Sequence, residues 1–295
     1  ILVTNRADRA LGLFDELNFW LPEHNNLYFP EPNPLFYEKL PWSESTRRDR
    51  LMAFAELSKY LLPGVNRPAI PPVIVTPVRA IMTRTLPRRE FLRLTQRVTV
   101  NERRDLVEMT KAWVGLGYEY SNIVVQPGQF SRRGGILDVW SPSEKLPVRF
   151  EFFGDEVDTL REFDPATQRT EGKLEKTLVV PAAEAVPAIA EKAGISPIDL
   201  NEFDLPTLYR YPSSLMDYLP ETALILLDGE EFISAAVNNF EEEALQRREN
   251  AIADGYLDAD APVPYVTWSE IEDSFNYRQV LELGHTNVEE GSALA

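Results

Sequence analysis

The chain has 295 residues, 44% hydrophobic and 26% charged, enough to bury a sizeable core and to hold about two or three domains. With no cysteine and only His24 and His285 as histidines, disulfide frameworks, thiolate chemistry, His-based metal sites and Ser-His-Asp triads are poorly supplied. The net charge of −17 is concentrated in residues 186–295, where 5 Lys and Arg stand against 22 Asp and Glu, a third that repels a phosphate backbone.

Taken in order, ILVTN (residues 1–5) is a buried-type strand, and Ala7–Leu21 has apolar residues at helical period with Asn5 as its cap. Leu27–Phe29 is a second strand ended by Pro30, and FPEPNPLFYEKLPW is a loop. The spacing predicts a helix over Arg47–Leu62 with Leu51, Phe54, Ala55, Leu57, Ser58 and Leu61 on one stripe. VIVTP (Val73–Pro77) is another buried strand, followed by a short helix over Val78–Thr83. Strands alternating with helices argue a parallel α/β sheet.

From Arg97 the pattern changes. Val98–Val100 reads as a strand turning at Asn101, and Glu102–Leu116 as a helix burying Leu106, Met109, Thr110, Trp113 and Val114. Short strands follow at Gln129–Arg132, Gly135–Trp140, Val148–Phe153, Glu156–Phe163 and Leu178–Val180, before a linker at Pro181–Pro187. This is an α+β unit, residues 97–186, inserted between α/β parts at 1–96 and 187–295. The last part has a buried strand at Ala223–Leu227 ending at Asp228, a helix over Glu230–Ala253 with an acidic solvated face, and a further short strand at Tyr265–Thr267. The tail beyond Gly284 carries no core pattern. The chain lacks an initiator Met and starts in mid-strand, which reads as a piece of something longer. No apolar run reaches membrane length, so a cytoplasmic location is the default expectation.

Catalytic signatures are sparse. Neither a G-x-x-x-x-G-K-[ST] phosphate loop nor a G-x-G-x-x-G occurs, so a nucleotide has no obvious cradle. Asp228, before Gly229, Glu230 and Glu231, is read as a strand-end residue capping the next helix rather than a magnesium ligand. Phe130, Arg132, Arg133 and Trp140 suggest a nucleic-acid-binding β-surface, but residues 97–185 are slightly acidic overall, which weighs against it.

The most informative strand is Val148–Phe153. Gly154-Asp155 after it is a two-residue hairpin signal with Gly at positive φ. Alternation sends Val148, Phe150 and Phe152 one way and Arg149, Glu151 and Phe153 the other. A large aromatic flanked by two charges is not what core packing asks for. Either this face docks a partner, or Arg149 and Glu151 pair with neighbouring strands and Phe153 packs under a loop.

The run GQFSRRGGILDVWSP…LPVRFEFFGDEVDTLREFDPATQRT resembles the UvrA-binding domain of the transcription-repair coupling factors, shared with the excision-nuclease subunit UvrB. SLMDYLPETALILLD, ILVTNRADRALGLFDEL and VIVTPVRAI resemble the flanking α/β domain of that family. The resemblance implies a degenerate RecA-like domain of the P-loop NTPase and helicase type, interrupted by a mainly antiparallel α+β UvrA-binding domain. It implies a non-catalytic adaptor without cofactor that recruits UvrA to stalled RNA polymerase by mimicking UvrB. ATP, magnesium, RNA polymerase and double-stranded DNA would then be bound by later domains of a translocase parent. Residue by residue, the UvrA contacts fall on Arg133, Arg149 and Phe153, with Glu151 as a fourth, while Arg132 should face oppositely. The alternative is the N-terminal part of a UvrB-type helicase with ATPase activity. UvrB carries a tyrosine-rich DNA-inserting hairpin where this chain has only FPEPNPLFYEKLPWSESTRRDRL, which favours the coupling factors.

Overall fold

The computed structural model describes residues 1–38, 40–61, 68–198, 200–211 and 213–284. Strands β1 (Leu2–Thr4), β2 (Asn26–Tyr28) and β3 (Val73–Pro77) alternate with helices α1 (Ala7–Trp20) and α2 (Glu44–Ser58), and α3 (Val78–Met82) and α4 (Arg88–Leu94) follow. Together with β12 (Leu224–Asp228) and β13 (Gln279–Leu283), the first three strands build a five-stranded sheet of order β13-β12-β1-β3-β2, parallel throughout. Near-continuous apolar strands such as VIVTP require cover on both faces. Leu2 and Val75 pack with Ala10, Phe14 and Leu17 of α1 on one face, whereas Val3 and Ile74 join the main core on the other.

The middle of the chain is built differently. Strand β4 (Gln96–Thr99) pairs antiparallel with β11 (Lys176–Val179). Between them lie α5 (Leu106–Gly115) and a six-stranded sheet. Its strands are β5 (Glu119–Tyr120), β6 (Gln129–Arg133), β7 (Ile136–Val139), β8 (Val148–Phe153), β9 (Glu156–Phe163) and β10 (Thr170–Leu174), antiparallel except for the β5–β6 pair. Trp113 of α5 is fully buried, within ring contact of Tyr118, Phe130 and Phe150. Two short helices, α6 (Pro187–Lys192) and α7 (Leu205–Leu208), lead to β12, and α8 (Glu230–Ala253) and α9 (Trp268–Phe275) precede β13.

Several sequence expectations shift at element ends. The α1 cap position is Arg6 rather than Asn5, with no side-chain bond. Helix α2 begins at Glu44 because Ser43 accepts a hydrogen bond from the Thr46 amide, three residues ahead of the predicted Arg47 start. Its predicted end, Leu62, lies outside the described residues, as does the tail beyond Gly284 with His285. Leu61 is exposed rather than part of the stripe. Asn101 turns with φ 66°, and α5 starts after Asp105, which caps the amides of Val107 and Glu108. That later start leaves Met109 and Trp113 buried, while Val114 is 54% exposed. Tyr265–Thr267 is not a strand: Tyr265 makes one bridge with Thr83, and Thr267 with Glu270 forms the capping box of α9. Asp228 does not occupy the α8 cap position, which belongs to Gly229 at φ 77°; its carboxylate is held by Arg9 of α1 at 2.8 Å.

A buried ion pair joins the two regions. Arg50 of α2 and Glu184, which follows β11, are both 0% exposed and 2.5 Å apart. The Arg50 guanidinium lies over the rings of Phe29 and Trp42, at 4.3 and 4.8 Å. Glu184 also accepts the Leu86 amide, and its carbonyl accepts the Tyr209 hydroxyl.

Between β7 and β8, Glu144 is half-buried and feels the charges of Lys59, Glu56 and Glu162. Burial pushes its pKa up to about 7, helped by Glu162 and Glu56 and opposed by Lys59. A carboxyl whose folded pKa exceeds its unfolded value favours folding when protonated, so its contribution is lost as pH rises through the interval from about 4.5 to about 7. Glu144→Gln should therefore raise the melting temperature at pH 8 and flatten its pH dependence over that interval. Thermal unfolding of both proteins between pH 5 and 8 checks this; parallel curves would refute it.

Candidate protein-docking face

The outer face of the six-stranded sheet is ordered by register. One cross-strand row runs Ser131, Asp138, Arg149, Arg161, Lys173; the next runs Arg133, Ile136, Glu151, Thr159. The row between them, Arg132, Leu137, Phe150, Leu160, Leu174, belongs to the inner face, so Arg132 indeed faces opposite to Arg133. The hairpin closes through Gly154 at φ 65°, which pairs Phe153 directly with Glu156.

The register then shifts by one, leaving Asp158 as an extra residue in β9. This bulge decides the face of everything beyond it. Val157 points inward, and strict alternation would send Thr159 and Arg161 inward too. With the extra residue, Leu160 enters the core and Arg161 lies opposite Arg149.

The four candidate residues share this face but differ in freedom. Phe153 is 83% exposed, so no loop covers it. Arg133 is exposed and donates to the Asn122 carbonyl at 3.4 Å. Arg149 is committed: its Nε and one terminal nitrogen donate to both oxygens of Asp138, at 2.7 and 2.8 Å, and its guanidinium covers the Phe163 ring at 4.6 Å. The Asp138 hydrogen bond holds the Arg149 pKa above its ordinary value, against the opposing effect of burial. Glu151 accepts the Thr159 hydroxyl at 2.6 Å and lies 3.3 Å from Arg161. Arg149 and Glu151 thus pair with neighbouring strands, as one alternative expected, whereas Phe153 stays open rather than packing under a loop.

Sequence reasoning missed Asp138, Ile136 and Arg161. Asp138 had a usable signal, an acid on the outward register of an otherwise apolar strand. Ile136, 37% exposed beside Arg133, adds apolar surface to the face. An aromatic and an isoleucine ringed by arginines and a glutamate can anchor a protein surface and orient it with bidentate ion pairs.

Residues 97–184 match the family model described as the UvrB interaction domain. The chain is 37% identical over 221 residues to the transcription-repair-coupling factor of Myxococcus xanthus, covering 68% of this chain and 18% of that protein. It is 28% identical over 295 residues to that of Bacillus subtilis (87% and 24%), and 28% identical over 185 residues to that of Escherichia coli (62% and 15%). The chain is a homologue of the transcription-repair-coupling factors. It spans a quarter or less of the length of these relatives. All four candidate residues, and Asp138 and Arg161, lie within the matched UvrB interaction domain.

Elsewhere, no group of three or more His, Cys, Asp or Glu is placed to hold a metal among the described residues. No helix among them is long and apolar enough to cross a membrane. A cleft between α2 and the antiparallel sheet is lined by Arg47, Arg48, Gln126 and Ala183.

Proposed function

We propose that this chain is the docking module of a transcription-repair coupling factor, presenting a UvrB-like face that recruits UvrA for nucleotide excision repair at stalled RNA polymerase. The observation that carries the reading is the exposed Phe153, set among Arg133, Arg149 and Glu151 within the UvrB interaction domain match. An exposed aromatic of this size on a short hairpin has little structural use and is the usual anchor of a protein interface. On this reading residues 97–186 are the inserted UvrA-interaction domain, and residues 1–96 and 187–295 form a degenerate RecA-like support. This region is an adaptor without nucleotide chemistry; ATP, magnesium, DNA and polymerase belong to other domains of the parent.

The UvrB-type helicase alternative is not favoured. The relatives above are coupling factors, and the segment from β2 to α2 forms no strand among its described residues, so it supplies no hairpin to insert between DNA strands. Two binding measurements on the chain test the proposal. Purified UvrA should bind with a dissociation constant in about the micromolar range or tighter, and ATP should show no saturable binding at millimolar concentration. Absent UvrA binding, or micromolar ATP affinity, would overturn it.

A further inference from the structure

We propose that Arg161, backed by Lys173, completes the docking face by seating a carboxylate of the protein partner beside Arg149. This deepens the reading of the face as the UvrA-docking surface and rests on it.

Three observations carry the proposal. First, the row Asp138, Arg149, Arg161, Lys173 holds three cations and one carboxylate, and Arg149 already engages both oxygens of that carboxylate. Like charges directly opposite on an antiparallel pair are destabilising, so the Arg149–Arg161 juxtaposition is a cost that a bound anion would relieve. Second, Arg161 is only loosely engaged. Its ion pair with Glu151 is 3.3 Å long, that carboxylate is shared with the Thr159 hydroxyl, and the Arg161 side chain stays about one-third exposed. A planar guanidinium with spare donors is suited to a two-point bond with an incoming carboxylate. Third, Arg161 reaches this face only through the bulge at Asp158, which spends a residue to put Leu160 inside and Arg161 outside.

The flanking charges favour an acidic side chain over a nucleic acid. The hairpin tip beside the row carries Asp155, Glu156 and Asp158, and the chain as a whole is strongly acidic. A long polyanion would meet repulsion on either side of the row, whereas a single carboxylate fits between the arginines.

The experiment is calorimetric titration of purified UvrA into the whole chain carrying Arg161→Glu, Arg161→Gln or Phe153→Ala, at two salt concentrations, with thermal unfolding of each. Arg161→Glu should weaken binding by about tenfold or more, as loss of a close interfacial charge pair does. Arg161→Gln should show a shallower salt dependence than the parent while melting at the same temperature or higher, which keeps the test readable if the Glu variant folds poorly. Binding of Arg161→Glu and Arg161→Gln within about twofold of the parent, with Phe153→Ala weakened, would remove Arg161 from the interface and leave the docking reading standing. If Phe153→Ala also binds like the parent, the docking reading fails and this proposal with it. A labelled DNA duplex that binds the parent and is lost with Arg161→Glu would make the row a phosphate site and overturn the carboxylate assignment.

Discussion

Replacing Glu184 with alanine should destabilise the chain by about 3–5 kcal/mol, the largest effect of any single substitution considered, because it strands a buried charge. Arg50 has no access to solvent, and its guanidinium is enclosed by Phe29 and Trp42. Without Glu184 it would keep the Pro30 carbonyl, at 3.4 Å, as a neutral acceptor. The Leu86 amide would lose its acceptor as well. Urea denaturation of Glu184→Ala against the parent measures the cost; a loss below about 1 kcal/mol would show that relaxation or water entry satisfies Arg50. The effect should reach both regions, because Arg50 belongs to the helix between β2 and β3 and Glu184 closes the antiparallel unit. Replacing both residues with apolar side chains should cost far less than losing Glu184 alone, since the desolvation penalty disappears along with the attraction.

The second large effect concerns binding. Phe153→Ala should weaken UvrA binding by about 2 kcal/mol, the usual size for a buried aromatic anchor, which is roughly a 30-fold rise in the dissociation constant. Its own stability should change by less than about 0.5 kcal/mol, as for exposed positions generally, because 83% of Phe153 already meets water. Arg149→Ala should weaken binding comparably but behaves differently in the fold. It leaves Asp138, which is 3% exposed, without its bidentate partner and uncovers Phe163. The Asp138 pair makes Arg149→Ala the less clean probe. Calorimetry with UvrA, accompanied by a denaturation curve for each variant, separates the two contributions. Parent-like affinity in Phe153→Ala would sink the site assignment.

Much of the architecture was legible from local pattern. VIVTP and LILLD are apolar runs of strand length, and a parallel α/β sheet follows from their alternation with helices. The whole of α8, Glu230–Ala253, was readable from its apolar period. Elements with weak local signals were missed: α4 (RREFLRL), β10 (TEGKL) and β13 (QVLEL) carry few apolar residues in any strict period, and neighbouring strands and helices hold them in place. Cap chemistry, not apolar period, moved the starts of α2 and α5, because one side-chain oxygen on a free amide decides where a helix begins.

The docking face divides along the same line. Alternation along one strand is a property of the backbone, so six consecutive letters, VRFEFF, suffice to put Arg149, Glu151 and Phe153 together. Which of them stays available is a different question, answered by cross-strand register over several strands. Asp138 lies 11 residues before Arg149 and takes both of its forward hydrogen bonds. Arg161 comes opposite only because β9 carries one residue more than its partner, and no period in the sequence announces that residue. Glu184, 134 positions from Arg50, is further still from local inference. Local sterics set the direction of each side chain; the assembled sheet sets which charges are already neutralised, and therefore which groups remain for a partner.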